Sequence, residues 1–578
     1  MSTTLPYLHK KPTFSMRTKK KCPQCQIQYQ IKHTCPGRGH KKGFNKPLKN
    51  LNSDQSDLVM LIAFLGGKVP IKLLDRLRTS KLIWGNGGDV QLKAYGDVPV
   101  VADESRFKKA IQVLKEGTIL STAEPGLLSI NPELLQRIIT QTNQQNYWKL
   151  QALMAVMHAF PEHRHLEPAF YFATVNSLLP LLQHVLTYIG QQAVGCNLDL
   201  SQTSEIVNVC LSSSCFLNMG WKENVLGVAE GLLTLHGQTC SRIRLRRMAL
   251  ARISMKQAET QIDQVRALIT DNHPHDKRSN AHFAEMLLFE ARLLVDLERH
   301  SEALSVLSTF KVRDPWDISK LEQIQLSEMT FLRGLIDRYD GNFIESRVCF
   351  LQLLGQLPSP PKIMTQLSAV SCEIGQFPFA IASLIDELRS LARSGYPKDG
   401  QNVRRLRLSL AEAYLMSAVK LVASQWEDIK EHKISLQALE LIGKAREQIE
   451  ILRRHLENAD NLQKAGIINR FRISLVAAIA EHLAGDPLCA VSRWNEALEF
   501  SHTSWPDSYS DMIIAYSKAD LMYRLGEQVA ALDLEQFAFK LHSKTRRRYH
   551  FTGFGTIWPE CVGISMRVRH GRLPLYNY

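Results

Sequence analysis

The residues best suited to chemistry lie near the start of the chain. Cys22-Pro23-Gln24-Cys25 is followed by Cys35 and His40. Two thiolates two residues apart grip one face of a tetrahedral zinc ion, and a third Cys with a His would complete the four ligands. Lys19, Lys20 and Lys21 beside the pair favour the thiolate form. His33 is an alternative fourth ligand, cramped by its closeness to Cys35. The competing reading is an unstructured arm with incidental cysteines. A thioredoxin-like redox role would need a βαβ pattern around the motif, and none surrounds it.

At the other end, Arg546-Arg547-Arg548-Tyr549-His550-Phe551 is followed by Phe554, Trp558 and Tyr576. Basic residues beside aromatics can pair phosphates and stack bases. They equally suit a tail whose aromatics cover the exposed end of a helical array, which is the expectation here. His158, His163 and His165 surround a helix end and read as capping or surface residues. The chain has no His-Glu-x-x-His helix, no Gly-x-Ser-x-Gly elbow and no dinucleotide-binding glycine loop. Gly66-Gly67-Lys68 runs into Val69 and Pro70, so it cannot cradle phosphates. A non-enzymatic protein is expected, with zinc as the one candidate cofactor.

Charge divides the chain. Of the formal +15, residues 1–49 contribute +12 and residues 540–578 contribute +7, so residues 50–539 carry −4. The basic character belongs to the two ends, and it does not make the whole chain a nucleic-acid binder. The arm can contact nucleic acid or serve as a nuclear import signal through Lys19 to Lys21 and Lys41-Lys42. The most lipid-like stretch, Val175 to Cys196, is interrupted by Pro180, Gln183, His184, Gln191 and Gln192. It reads as a buried helix pair, so no membrane is expected. Most of the eleven cysteines are scattered singly, which suits reduced thiols in a cytoplasmic or nuclear protein.

Four segments follow from composition and periodicity. Residues 1–50 are poor in large aliphatics and are expected to be disordered unless metal or a partner orders them. Residues 51–145 predict three helices, two short β runs at Gly117 to Ser121 and Gly126 to Ile130, and a closing helix from Pro132 to Thr140. That is a winged-helix-like plan. Residues 146–543 read as helix after helix, with breaks such as Asp271-Asn272-His273-Pro274 and Pro358-Ser359-Pro360-Pro361. Residues 544–578 form the tail that caps the last pair.

A repeat lies within the third segment. Gly334, Gly341-Asn342-Phe343, Ser346, Phe350 and Pro358 fall at the offsets of a tetratricopeptide unit. Small residues sit where two helices cross, Gly-x-aromatic makes the turn, an aromatic fills the second helix, and Pro marks the exit. Gly375-Gln376-Phe377 with Ala380 and Leu384 repeats the turn 34 residues after Gly341, the period of that family. Looser copies start at Gly220, Ala291, Gly485 and Gly526. The expected fold is mainly α, an irregular TPR-like α-α superhelix preceded by a small winged-helix-like domain.

The order of segments resembles the C-terminal half of fungal NLR-like (STAND) proteins. The resemblance rests on Leu61-Ile62-Ala63-Phe64-Leu65 with Val69 to Leu74, on Leu128-Ser129-Ile130-Asn131-Pro132-Glu133-Leu134-Leu135-Gln136, on Trp148 with Ala159-Phe160-Pro161, and on Leu178-Leu179-Pro180. It covers roughly residues 55–190. Asn131 stands where such proteins usually have His, and no nucleotide-binding loop is present. The resemblance implies an interaction and sensor half without the NTPase switch. Function is therefore expected to be binding of a protein partner in the groove of the solenoid. The alternative is a nucleic-acid-associated regulator using the basic arm and the winged-helix-like segment.

Overall fold

The computed structural model describes residues 51–578 except 97, 123, 163–165, 167–170, 190–197, 217–218, 238–239, 252–257, 355–359, 395, 397, 429–433, 458–464, 485, 505–507, 545–550 and 573–578. Residues 52–578 form one compact body. It is mainly α and superhelical, and its described strands all lie between Lys68 and Ile130.

The N-terminal part opens on Ser53–Phe64, a helix started by a capping box between Asn52 and Gln55. Strand β1 (Lys68–Pro70) leads into helix Ile71–Arg78. A hairpin follows, β2 (Lys81–Trp84) and β3 (Val90–Lys93), then helices Pro99–Ala102 and Glu104–Glu116. Strands β4 (Leu120–Ser121) and β5 (Leu127–Ile130) precede helix Pro132–Gln141. β5 pairs antiparallel with both β1 and β4, giving a three-stranded sheet in the order β1-β5-β4. The predicted helices, β runs and closing helix are all present. Strand β1, the hairpin β2–β3 and the short helix at Pro99 were not foreseen.

That hairpin ties the two ends of the fold's first half together. Its tip, Gly85 to Asp89, meets the starts of helices Lys277–Asp296 and Lys320–Tyr339. Gly88 O accepts from Leu321 N at 3.0 Å, and Asn86 O accepts from Arg278 N at 3.1 Å. Asp89 Oδ1 accepts from Lys320 N at 2.9 Å, placing a carboxylate where first-turn amides lack partners. Trp84 buries its ring among Ala281, Leu321, Ile324 and Phe331. Lys81, 3% exposed, donates to Met157 O at 2.6 Å and reaches Glu205 at 3.2 Å. Gly88 has φ +77°, and a Cβ there would stand 2.6 Å from Ser319 Oγ. Gly88→Ala is expected to cost about 2 kcal/mol, from left-handed backbone strain plus the clash. Chemical denaturation of the full chain checks this, and an unchanged midpoint would refute it.

From Gln145 onward the described elements are helices, most of them in antiparallel pairs. Asp199, Asp276, Ser319 and Ser508 each start a helix with a capping box. First helices of successive pairs pack on one another: Lys277–Asp296 on Lys320–Tyr339, Pro360–Glu373 on Gln401–Asp428, and Gln401–Asp428 on Ala465–Ala484. They form an inner row, because a single hairpin cannot bury its own apolar face. Among the described residues no helix is long and apolar enough to cross a membrane.

The C-terminal segment does not simply close the end of the last pair, as the sequence suggested. Helix Ile557–His570 packs on the inner row, against Gln401–Asp428 and Tyr509–Arg524. Phe554, Trp558, Val562 and Met566 belong to the same core as Met416, Val419, Trp494 and Ile513.

Candidate functional site

The repeat residues can be placed one by one. Gly334 lies where helix Lys320–Tyr339 crosses Phe343–Leu353, and a Cβ there would stand 3.0 Å from Cys349 Cβ and from the Phe350 ring. Ser346 Oγ donates to Gly334 O at 2.6 Å across the same crossing. Phe350 is fully buried, 5.5 Å from the Phe331 ring. Gly341 and Gly375 make the turns, with φ of +86° and +79°, and Phe343 and Phe377 begin the helices that follow. Ala380 is fully buried. Gly526 makes the same turn at φ +84°, and Glu298 does so at φ +61° without being glycine. In each the amide after the turn residue donates back to the helix, as Gln376 N does to Ser371 O at 2.7 Å. Pro358 lies outside the described residues.

The proposed zinc ligands Cys22, Cys25, Cys35 and His40, with His33, also lie outside them, as do His163, His165, the Arg546 to Arg548 run and Tyr576. Among the described residues no group of three His, Cys, Asp or Glu side chains could hold a metal. His158 is a buried core residue whose Nε2 lies 3.0 Å from Thr79 O.

The richest cluster of polar groups is one the sequence did not reveal. It lines the inner row where the C-terminal segment rests. At one end Glu373 accepts from Gly553 N at 2.8 Å and from the Thr556 hydroxyl. Burial pushes the Glu373 carboxyl above the usual range, against the pull of Arg338 and these two donors. Next to it, Glu412 takes a two-pronged bond from Arg472, at 2.7 and 2.6 Å, and a third from Thr552 Oγ1 at 2.9 Å. Lys420 pairs with Glu560 at 2.9 Å.

At the other end Asp520, fully buried, gathers His482 Nε2 at 2.9 Å, Ser565 Oγ at 2.6 Å and Arg524 Nη2 at 2.5 Å. The indole N–H of Trp494 donates to His482 Nδ1 at 3.2 Å. An indole only donates, so Nδ1 carries no proton and the Nε2–H points at Asp520. Burial, reinforced by the Arg524 charge, holds the imidazole down at about 4. Burial alone would raise Asp520. Arg524 and the bond from His482 outweigh it, and the carboxyl stays well below its ordinary range. Trp558 completes the cluster: its ring meets His482 edge-on at 4.9 Å, stacks on Trp494 at 5.9 Å, and its N–H donates to Ser517 Oγ at 2.8 Å. Beyond, Arg572 donates to Glu535 at 2.7 Å.

Ser, His and Asp occur together here, but not as a hydrolase arranges them. Ser565 bonds to Asp520 and not to the imidazole, whose two nitrogens serve Asp520 and Trp494. All three are buried. The cluster holds polypeptide. The mark of a buried segment in the sequence is the cluster of Ile557, Trp558, Val562, Ile564 and Met566, with Glu560 the one charge among them.

Neither the protein-family models nor the curated proteins compared with this chain match it.

Proposed function

We propose that this chain is a non-enzymatic interaction scaffold, built of TPR-like helix pairs behind a winged-helix-like unit. One observation carries the reading: the inner row of helices already grips a polypeptide segment, its own, through carboxylates and stacked indoles. A helical-hairpin array offers such a surface without further machinery. The turn geometry at Gly341, Gly375 and Gly526 and the close crossing at Gly334 support the TPR-like assignment. The sheet order β1-β5-β4 supports the winged-helix-like one. The expected setting is cytoplasmic or nuclear, and the expected partner is a protein.

The competing regulator reading needs a basic reading surface. Helix Glu104–Glu116 presents exposed Lys108, Lys109 and Lys115. Glu104 pairs with Lys108, and Asp54 pairs with Arg106. The basic arm, with zinc as its candidate cofactor, would have to supply the phosphate contacts.

Affinity capture with the tagged full chain separates the two. The scaffold reading expects a few proteins enriched above a tag-only control, unchanged by nuclease and by deletion of residues 1–49. A folded chain that retains only nucleic acid, with retention lost on that deletion or at raised salt, would overturn it.

A further inference from the structure

We propose that the outer edge of strand β3 is a self-association surface, on which a second copy of the chain lays its own β3 antiparallel to the first, centred on Gln91. This goes beyond the scaffold reading and does not depend on it.

Register decides which groups face outward. β2 and β3 pair Lys81 with Lys93, Leu82 with Leu92, Ile83 with Gln91 and Trp84 with Val90. At the closed end Gly85 N donates to Asp89 O at 3.0 Å. Bonded and non-bonded pairs alternate along an antiparallel ladder, so Gln91 and Lys93 turn their amides and carbonyls towards β2. Those of Val90 and Leu92 point away from it. Among the described residues, β2 is the only strand bonded to β3. Val90 is 45% exposed and Leu92 71%. The strand carries no proline or bulge, and its one lysine is drawn to Glu205. Such an edge is a template for another strand. A lone two-stranded hairpin is also marginal, and further strands stabilise it.

The occupant is legible in the strand itself. Asp89-Val90-Gln91-Leu92-Lys93 reads acid, apolar, amide, apolar, base, and it complements itself when reversed. Antiparallel pairing about Gln91 sets Val90 opposite Leu92 of the other copy. These are the residues whose backbone groups face outward, so each such pair exchanges both of its bonds. The same register sets Asp89 opposite Lys93 and Gln91 opposite Gln91. These are non-bonded pairs, where side chains come closest, and an ion pair forms on each side of the two-fold axis. Asp89 is exposed, with Oδ1 accepting from Lys320 N at 2.9 Å. Lys93 reaches Glu205 at 2.5 Å and keeps 38% of its side chain exposed. Pairing about Leu92 instead would set Lys93 opposite Gln91 and lose both ion pairs. The chosen register joins the two hairpins into one antiparallel sheet. The contact is small, so association in the micromolar range or weaker is expected.

Sedimentation equilibrium of the full chain, from micromolar to submillimolar concentrations, is expected to show a monomer rising towards a dimer. Backbone amides in residues 86–95 should exchange more slowly at the high end. Leu92→Pro removes an outward N–H and no hairpin bond, so it should weaken the dimer at least ~tenfold and leave the hairpin in place. A pair of charge variants tests the register. Asp89→Lys alone faces Lys93 of the other copy, and Lys93→Asp alone faces Asp89, so each should stay monomeric. Mixed in equal amounts, they restore an attractive pair on both sides of the axis and should dimerise. Circular dichroism of each variant alone checks its fold before mixing. A wild type that stays monomeric throughout overturns the proposal and leaves the edge to a strand of another protein. Dimers unaffected by Leu92→Pro, or folded charge variants that do not recover on mixing, overturn it as well and place the contact elsewhere.

Discussion

Trp558→Ala is expected to destabilise the chain by about 3–5 kcal/mol, among the largest effects of any single substitution in it. The indole is 1% exposed, stacks on Trp494 and donates its N–H to Ser517. Removal leaves a void between helices Gln401–Asp428 and Tyr509–Arg524 and takes a donor from Ser517 Oγ, whose own hydroxyl bond to Ile513 O at 2.7 Å remains. Trp558→Phe keeps most of the packing and loses the hydrogen bond, so about 1–2 kcal/mol is expected. Urea unfolding followed by circular dichroism distinguishes the two. If both variants unfold with wild type, helix Ile557–His570 is not part of the core. For the same reason a fragment ending at Ser543 is a poor test of function, since it lacks the side chains that fill its own interior.

Acid should loosen the same region through His482. Its folded pKa of about 4 lies below the ordinary 6.5, so between those values the unfolded chain binds a proton that the folded chain refuses. Stability from this group is present above pH 6.5 and is lost as pH falls towards 4, amounting to about 3 kcal/mol. Glu373 works the other way, because burial raises its folded pKa and its contribution is lost as pH rises. His482→Gln separates them: a glutamine amide can donate to Asp520 and accept from Trp494 without titrating. Wild type is expected to lose about 3 kcal/mol more than the variant between pH 7 and pH 4. Parallel stability profiles for the two proteins would show that His482 is not the acid-sensitive group.

The helical array was legible because its signals are local. A glycine able to take positive φ at Gly341 or Gly375, and small residues where Gly334 meets Ser346, leave a mark at fixed offsets. The groove was not legible because its members come together only in the fold. Gly553 meets Glu373 across 180 residues, and no spacing rule links them. Hairpin β2–β3 lies between these cases. Leu82-Ile83-Trp84 and Val90-Gln91-Leu92 flank Gly85-Asn86-Gly87-Gly88, a pattern that supports paired strands. The C-terminal segment was expected to cover the end of the array; instead Arg569, His570 and Arg572 rest on Trp426, Tyr523 and Glu535, partners that no local spacing reveals.

Having Glu373 and Glu412 wait for Thr552, Gly553 and Thr556 also sets a timetable for synthesis. A ribosome adding roughly 5–20 residues per second needs on the order of ten seconds to half a minute to pass from the acidic helices to the segment that covers them. Throughout that interval the nascent chain carries an open channel with Trp494 and its neighbours unsheltered once they emerge. Completion of this core is therefore a late, long-range closure that waits for helix Ile557–His570.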